Sequence, residues 1–409
     1  MILNRIGLRY FRSLYEIELP LKPLTILIGP NASGKSNLFK ALRFLYDGIA
    51  GDRLEWQTYD SLVDELRWYG YDEHGIRPEN LDFDLSFAHP DSPLPIANYT
   101  SSLHVGDFLK VDSEKLCLRL SENDEALVTF FERQQRNIQQ HIGQEETPHE
   151  PPTRQARSMR TLTLREEGPN LQIPLAQAVY DHIVGWRFID VNPYRARQGA
   201  FIPEYPEEVP PVEGDASNLS AFLYALWRRS PDDFDTINQA LNEFIDLPQQ
   251  ILVEHDADRG GRHARYRFIE QPYGENRLIP PESMSDGTIR LLAHLALLLG
   301  DRSVTLACLE EPDHGLHPRL MLYLADLLRQ SVADVEALQD QRSPQIIVTT
   351  YSPEFMDCFD LDAEQDYLQV YVTERDEVGK TLFISTTAQE LAPWLKRYRL
   401  GEAVRRRFV

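Results

Sequence analysis

The chain has 409 residues, 42% apolar, 10% aromatic and 26% charged, with a formal net charge of −22. That length holds one large domain or a core domain with an insertion, and the fractions are those of a globular protein facing water. The charge argues against indiscriminate coating of nucleic acid, and the longest nearly apolar stretch, Leu291 to Leu299, is far shorter than the roughly 20 residues a bilayer span needs.

In chain order, Met1 to Arg5 leads into strand-like alternation with no signal-peptide core, which fits a cytoplasmic protein. Ile2 to Tyr10 and Tyr15 to Leu19 alternate, and Leu24 to Ile28 is a buried-type strand. Leu38, Leu42 and Leu45 then recur at helical spacing. Between strand and helix lies Gly29-Pro30-Asn31-Ala32-Ser33-Gly34-Lys35-Ser36, which satisfies the P-loop pattern in the context that confirms it. Gly29 and Gly34 let the backbone turn so that N–H groups point at phosphate, and the helix start adds its partial positive charge. Lys35 is expected to reach the β- and γ-phosphates of ATP, and the Ser36 hydroxyl to ligate Mg²⁺.

The stretch from about 50 to 250 differs in texture. Leu81 to Phe87 and Leu116 to Leu120 read as strands, and Glu125 to Ile142 as a helix with a sparse apolar set. Gly143 to Thr153 and Pro203 to Pro211 read as polar, proline-containing connectors, and Asn218 to Arg229 and Asp232 to Phe244 as amphipathic helices. Arg154, Arg157, Arg160 and Arg165, and again Arg405 to Arg407, are either local basic tracks for DNA or solvated surface. The three cysteines, Cys117, Cys308 and Cys358, form neither a metal spacing nor a disulfide framework.

Beyond about 250 the text becomes core-like. Ser285, Asp286 and Gly287 precede the apolar helix Ile289 to Leu299, either as an ordinary N-cap or as a second anion site. Val304 to Leu309 is an apolar strand ending in Glu310 and Glu311. At a strand's C-terminal end, Glu310 suits a Mg²⁺-bound water and Glu311 suits orienting and deprotonating the attacking water. Pro318 to Val332 reads as a helix, Gln345 to Thr350 as a strand, and Leu368 to Val372 with Thr381 to Ser385 as a hairpin before a terminal helical segment. Alternating strands and helices imply a parallel sheet with right-handed crossovers.

This order of motifs resembles the ABC ATPases, and more narrowly the RecF/SMC-like branch of bacterial predicted AAA ATPases related to the ATPase half of OLD (overcoming lysogenization defect) proteins. The residues carrying the resemblance are Tyr10 to Leu14, Gly29 to Asn37, Met284 to Leu292, Glu310 to Pro318 and Thr349 to Glu354. The resemblance implies an α/β P-loop NTPase head (residues 1–50 and 246–409) with an antiparallel β subdomain and a mixed α/β insertion at 51–245. It implies head-to-tail pairs, a homodimer or higher oligomer, in which Ser285, Asp286 and Gly287 of one copy contact the γ-phosphate held by the other. Such heads act on DNA or on a separately encoded effector in repair or anti-phage defence, and no membrane is involved. Two positions depart from the pattern. Ala32 stands where the family usually has glycine, acceptable if its φ is negative. Tyr351 stands at the switch position, usually histidine, and a phenol there carries no positive charge near neutrality. Slow turnover, or an ATP-binding assembly protein with little turnover, is the reading this departure keeps open.

Overall fold

The N-terminal alternation forms β1 (Ile2–Phe11) and β2 (Leu14–Pro20), an antiparallel pair that starts the largest sheet among the described residues. The computed structural model describes all residues except 52–58, 72–73, 91, 93, 120–125, 142–152, 157, 169–170, 172, 203–208, 245–248, 256–261, 271–274, 334–343, 388 and 397–409. Two units divide the chain, one holding Met1–Trp186 with Leu368–Thr386 and the other Arg187–Tyr367 with Thr387–Val409.

In the first unit, β3 (Leu24–Ile28) is buried at every residue, and α1 (Lys35–Ile49) follows it. Then come β4 (Asn80–Ala88), β5 (Pro95–Val105), β6 (Leu109–Leu118), β7 (Val128–Gln134), β8 (Asn137–Gln140) and β9 (Thr153–Gln155). With β1 and β2 they form an eight-stranded antiparallel sheet in the order β2-β1-β4-β5-β6-β7-β8-β9. Burial alternates along β5, so one face of the sheet turns to the core. That core takes the apolar face of α1, where Phe44 lies 5.9 Å from Phe11 and 6.0 Å from Phe83, ring centre to ring centre. Each such buried side chain contributes about 1.5–3 kcal/mol. Two further helices, α2 (Thr163–Glu167) and α3 (Pro174–Val184), also pack on α1.

The helix expected over Glu125 to Ile142 is instead the β7–β8 hairpin, with Gln135 in its turn at φ 51°. The open edge of β6 takes β7 as its partner. Arg133, fully buried, spans from β7 to the carbonyls of Gln135 (2.6 Å) and Ser158 (2.8 Å). Beside it Glu114 accepts from the Tyr99 hydroxyl and the Leu164 N–H, each at 2.9 Å, and from the Thr163 N–H. Burial pushes the Glu114 carboxyl above its ordinary range, while these N–H bonds and Arg133 oppose the shift. Such a network overrides local periodicity, and a turn without glycine or asparagine does not announce itself. The connector expected at Gly143 to Thr153 falls almost wholly outside the described residues, as do Arg157, Arg405 to Arg407 and most of Pro203 to Pro211.

In the second unit, β10 (Trp186–Ile189) begins at the boundary. A small antiparallel sheet joins β11 (Ala200–Phe201), β12 (Gln249–His255), β13 (His263–Glu270) and β14 (Arg277–Ile279), with β13 central to it. The expected amphipathic helices α4 (Leu219–Arg229) and α5 (Pro231–Phe244) pack on this sheet. After α6 (Asp286–Leu295) come β15 (Leu306–Glu310), α7 (Pro318–Ala333), β16 (Gln345–Thr350) and the single turn α8 (Pro353–Met356). The β15 and β16 strands pair in parallel and are apolar or buried nearly throughout, as strands covered on both faces must be.

The chain then re-enters the first unit as β17 (Leu368–Arg375) and β18 (Thr381–Ser385), the expected hairpin. The β17 strand pairs in parallel with β3, placing Val372 opposite Ile28 at the mouth of the P-loop. The class is α/β with a large antiparallel part.

Candidate functional site: a phosphate-binding loop and a carboxylate turn

In the first unit the fully buried β3 delivers the chain to Gly29, and α1 begins at Lys35, so residues 29–34 form the loop. Gly34 is the N-cap at φ 105°, a left-handed conformation that suits glycine. Gly29 is needed for a different reason than turning. A Cβ built on it would lie 2.2 Å from the Thr373 carbonyl oxygen of β17, and one on Gly34 would lie 1.9 Å from Thr381 Oγ1 of β18. The hairpin therefore presses on both ends of the loop, and only glycine leaves room for it. A chain of hydrogen bonds fixes the contact: Asn37 Nδ2 donates to Ser13 Oγ (2.7 Å), Ser13 pairs with Thr381 Oγ1 (2.6 Å), and Thr381 donates to the Ser33 carbonyl (3.1 Å).

Lys35 is buried, and its Nζ donates to the carbonyls of Gly29 (2.7 Å) and Pro30 (3.0 Å). Asn31 and Ala32 are exposed, Pro30, Ser36 and Asn37 half-buried. No side chain caps α1, and its first turn has no acidic residue, so the positive end of the helix dipole is left to an anion. Ser33 Oγ is buried without a hydrogen-bond partner among the described residues. Ala32 overturns the expectation of a negative φ. It sits at φ 65°, where a Cβ costs about 1–2 kcal/mol. Ala32→Gly should therefore raise stability by about 0.5–1 kcal/mol after glycine's extra unfolded-state entropy is subtracted. A chemical-denaturation midpoint that falls instead would show the loop unstrained there.

In the second unit Glu310 ends β15 opposite Thr349 of β16. Glu311 turns the chain out of the strand at φ 45°, a conformation side chains rarely adopt and one found disproportionately at functional sites. Its N–H donates to the Thr349 carbonyl (3.0 Å) and hydroxyl (3.2 Å). One step out, the Thr350 hydroxyl donates to buried Asp313 Oδ2 (3.0 Å), and beyond that the Tyr351 hydroxyl meets His314 Nδ1 (2.9 Å). Carboxylate turn and strand end are thus joined by successive rungs.

The segment before α6 is built as an N-cap. Ser285 Oγ accepts from the Thr288 N–H at 3.1 Å and pairs with the Thr288 hydroxyl at 2.8 Å. Arg197 holds the segment in place through Asp286 (2.6 Å) and the carbonyls of Met284 (2.9 Å) and Pro281 (3.1 Å). Gly287 is buried, and a Cβ on it would come within 3.3 Å of Leu316 and 3.4 Å of the Gly315 carbonyl. Glycine there lets α6 sit against the turn that follows Glu311. Ser285 and Asp286 face solvent.

Residues 1–148 match the family described as "AAA ATPase domain", and residues 187–357 match the one described as "AAA domain, putative AbiEii toxin, Type IV TA system". Both matches are to AAA domains, one over each part of the chain. An SMC head, solved bound to the C-winged helix domain of ScpA, aligns with a TM-score of 0.57 at 13% identity, covering 96% of this chain and 100% of that one. The fold of this AAA domain is therefore that of an SMC-type P-loop head. An OLD nuclease from Thermus scotoductus is 41% identical over 51 residues, 12% of this chain and only 9% of that relative's length. No helix among the described residues is long and apolar enough to cross a membrane.

The donors of this AAA domain fit ATP and Mg²⁺ chemically. A buried lysine on loop carbonyls and an uncapped helix start suit a phosphate. The hydroxyl of Ser36 beside that loop is a hard oxygen donor, and Mg²⁺ keeps several waters and takes few protein ligands. Sequence reasoning missed Thr373, Thr381 and Arg197, which touch the motifs from distant parts of the chain. The bonds from Asn37 to Ser13 and between His314 and Tyr351 join stretches that the order of motifs leaves separate.

Proposed function

We propose that this chain is an ATP-binding and ATP-hydrolysing switch that works as a head-to-tail pair. The observation that carries the proposal is the loop at Gly29–Gly34, with Lys35 buried against its carbonyls and α1 uncapped behind it. On this reading the Lys35 amine exchanges those carbonyls for β- and γ-phosphate oxygens. Ser36 and Glu310 hold Mg²⁺ and its water, and the bound ion supplies charge neutralisation at the phosphates. Glu311 orients the attacking water and takes its proton. Ser285, Asp286 and Gly287 approach the γ-phosphate of the partner copy, and the solvent-facing positions of the first two support that role. The switch acts on DNA or on a separately encoded effector, in repair or in defence against phage.

Glu311→Gln removes the base and keeps the side-chain shape. Hydrolysis is expected to fall by about 10²-fold or more, while saturating ATP doubles the mass from the 47.3 kDa of one chain. A monomer mass unchanged by ATP would sink the head-to-tail pair. A second reading, an ATP-binding assembly protein with little turnover, draws on the uncharged phenol of Tyr351. Phosphate release below detection in a protein that still associates with ATP would favour it.

A further inference from the structure

Within the first unit, the hydrogen bonds that run from Asn37 through Ser13 and Thr381 to the Ser33 carbonyl have a direction fixed by their two ends. A carbonyl oxygen only accepts, so the Thr381 proton goes to Ser33. The Ser13 proton then goes to Thr381, and Ser13 Oγ accepts from the Asn37 amide. Turning the Asn37 amide over would leave two protons for three bonds. Ser13, Thr381 and Ser33 are buried. A Cβ on Gly34 would stand 1.9 Å from Thr381 Oγ1 and 2.9 Å from Ser13 Oγ, so this relay passes directly against Gly34.

The main chain joins the same segments without help from the hydroxyls. The Thr381 N–H donates to the Ser13 carbonyl (2.8 Å), β18 keeps its ladder with β17, and the Asn37 N–H donates to the Gly34 carbonyl (3.0 Å). What the Thr381 hydroxyl adds is a hold on one carbonyl of the phosphate loop. A trans peptide is planar, with its C=O and N–H on opposite sides, so fixing the Ser33 carbonyl turns the Gly34 N–H the other way. That N–H has no acceptor among the described residues. We propose that Thr381 is a positioning residue for phosphate binding, aiming the Gly34 N–H at the phosphate chain of a nucleoside di- or triphosphate through the Ser33 carbonyl. A donor set in advance costs nothing to orient when the ligand arrives. The proposal rests on the ATP-binding reading above and deepens it by naming a residue, 348 positions from Ser33 in the chain, that tunes the loop.

The test is binding of fluorescent ATP and ADP analogues to the full chain, with a denaturation midpoint taken for each variant. Thr381→Val keeps the side-chain shape and the backbone bond to Ser13 and removes only the hydroxyl. The loss of one directed donor to a charged phosphate predicts about ten-fold or more weaker binding of both nucleotides. Thr381→Ser keeps the hydroxyl and should recover most of that loss. Ser13→Ala should weaken binding less, because Thr381 still donates to Ser33. It should add nothing in the Thr381→Val background, because Ser13 acts only through Thr381. A valine variant within about two-fold of the wild type, a serine variant no better than valine, or additive losses in the double variant would overturn the proposal while leaving ATP binding intact. Affinity losses that merely follow the denaturation midpoints would overturn it as well. Should the valine variant not fold, a loss for Thr381→Ser as large as that for Ser13→Ala would do the same. A wild-type chain that binds neither nucleotide would overturn both this proposal and the reading beneath it.

Discussion

Gly29→Ala is expected to weaken nucleotide binding by about 10²-fold. The added methyl would stand 2.2 Å from the Thr373 carbonyl oxygen and 3.1 Å from its carbon, both backbone atoms that no rotamer change can move. The neighbouring pair Ile28 and Val372 is fixed by the parallel register of β3 and β17, so the strain has to be taken by the loop or by the hairpin. Overpacking of this kind costs about 1–3 kcal/mol of stability, and a displacement near 1 Å at a positioned site costs about 10²-fold in function. The measurement is an ATP titration alongside a denaturation curve. Affinity within two-fold of the wild type would mean that the hairpin yields freely and does not shape the loop.

Acid should unfold this protein through its buried histidines. His182 lies fully buried on α3, where its Nδ1 accepts from the Trp186 indole at 3.1 Å, and burial lowers its pKa from 6.5 to about 3. His294, buried on α6, donates from Nδ1 to the Arg290 carbonyl at 2.7 Å, and burial lowers its pKa from 6.5 to about 4. Both are neutral in the folded chain, and the unfolded chain binds protons first as pH falls. Their stabilisation is therefore fully present above pH 6.5 and is lost on the way down to the folded values. At pH 4 the loss is about 3 kcal/mol for each group, a large share of the 5–15 kcal/mol typical of a domain. Each histidine sits in a different unit, so neither unit is spared. Glu114 works the other way. Its raised pKa means that the folded chain takes up this proton before the unfolded chain does, so stability gains as pH falls towards 4.5, a partial offset that is complete below it. Denaturant midpoints between pH 7 and pH 4 should fall steeply, and His182→Leu and His294→Leu should each flatten the slope. A slope unchanged by both substitutions would place the acid sensitivity elsewhere.

Much of the site is legible in the sequence because it is local. An apolar run, a glycine-framed loop and a helical leucine spacing lie within about twenty consecutive residues, and their order dictates a strand, a phosphate loop and a helix start. The same holds for the strand ending in Glu310 and Glu311, for the cap at Ser285, and for the hairpin near the C-terminus. The tertiary structure decided what surrounds these pieces. Thr381 reaches the Ser33 carbonyl across 348 residues, and the carbonyl of Thr373 makes Gly29 obligatory although its own backbone angles do not. Arg197 reaches Asp286 across 89 residues. The helix expected over Glu125 to Ile142 became a hairpin because β6 offered an open edge and Arg133 found its partners in residues 135–161. Periodicity and turn chemistry are short-range properties of the chain. Close approach of two backbones, the sign of φ at Ala32 and the pairing of His314 with Tyr351 depend on which distant segment is packed alongside, and that follows only from burying the whole core at once.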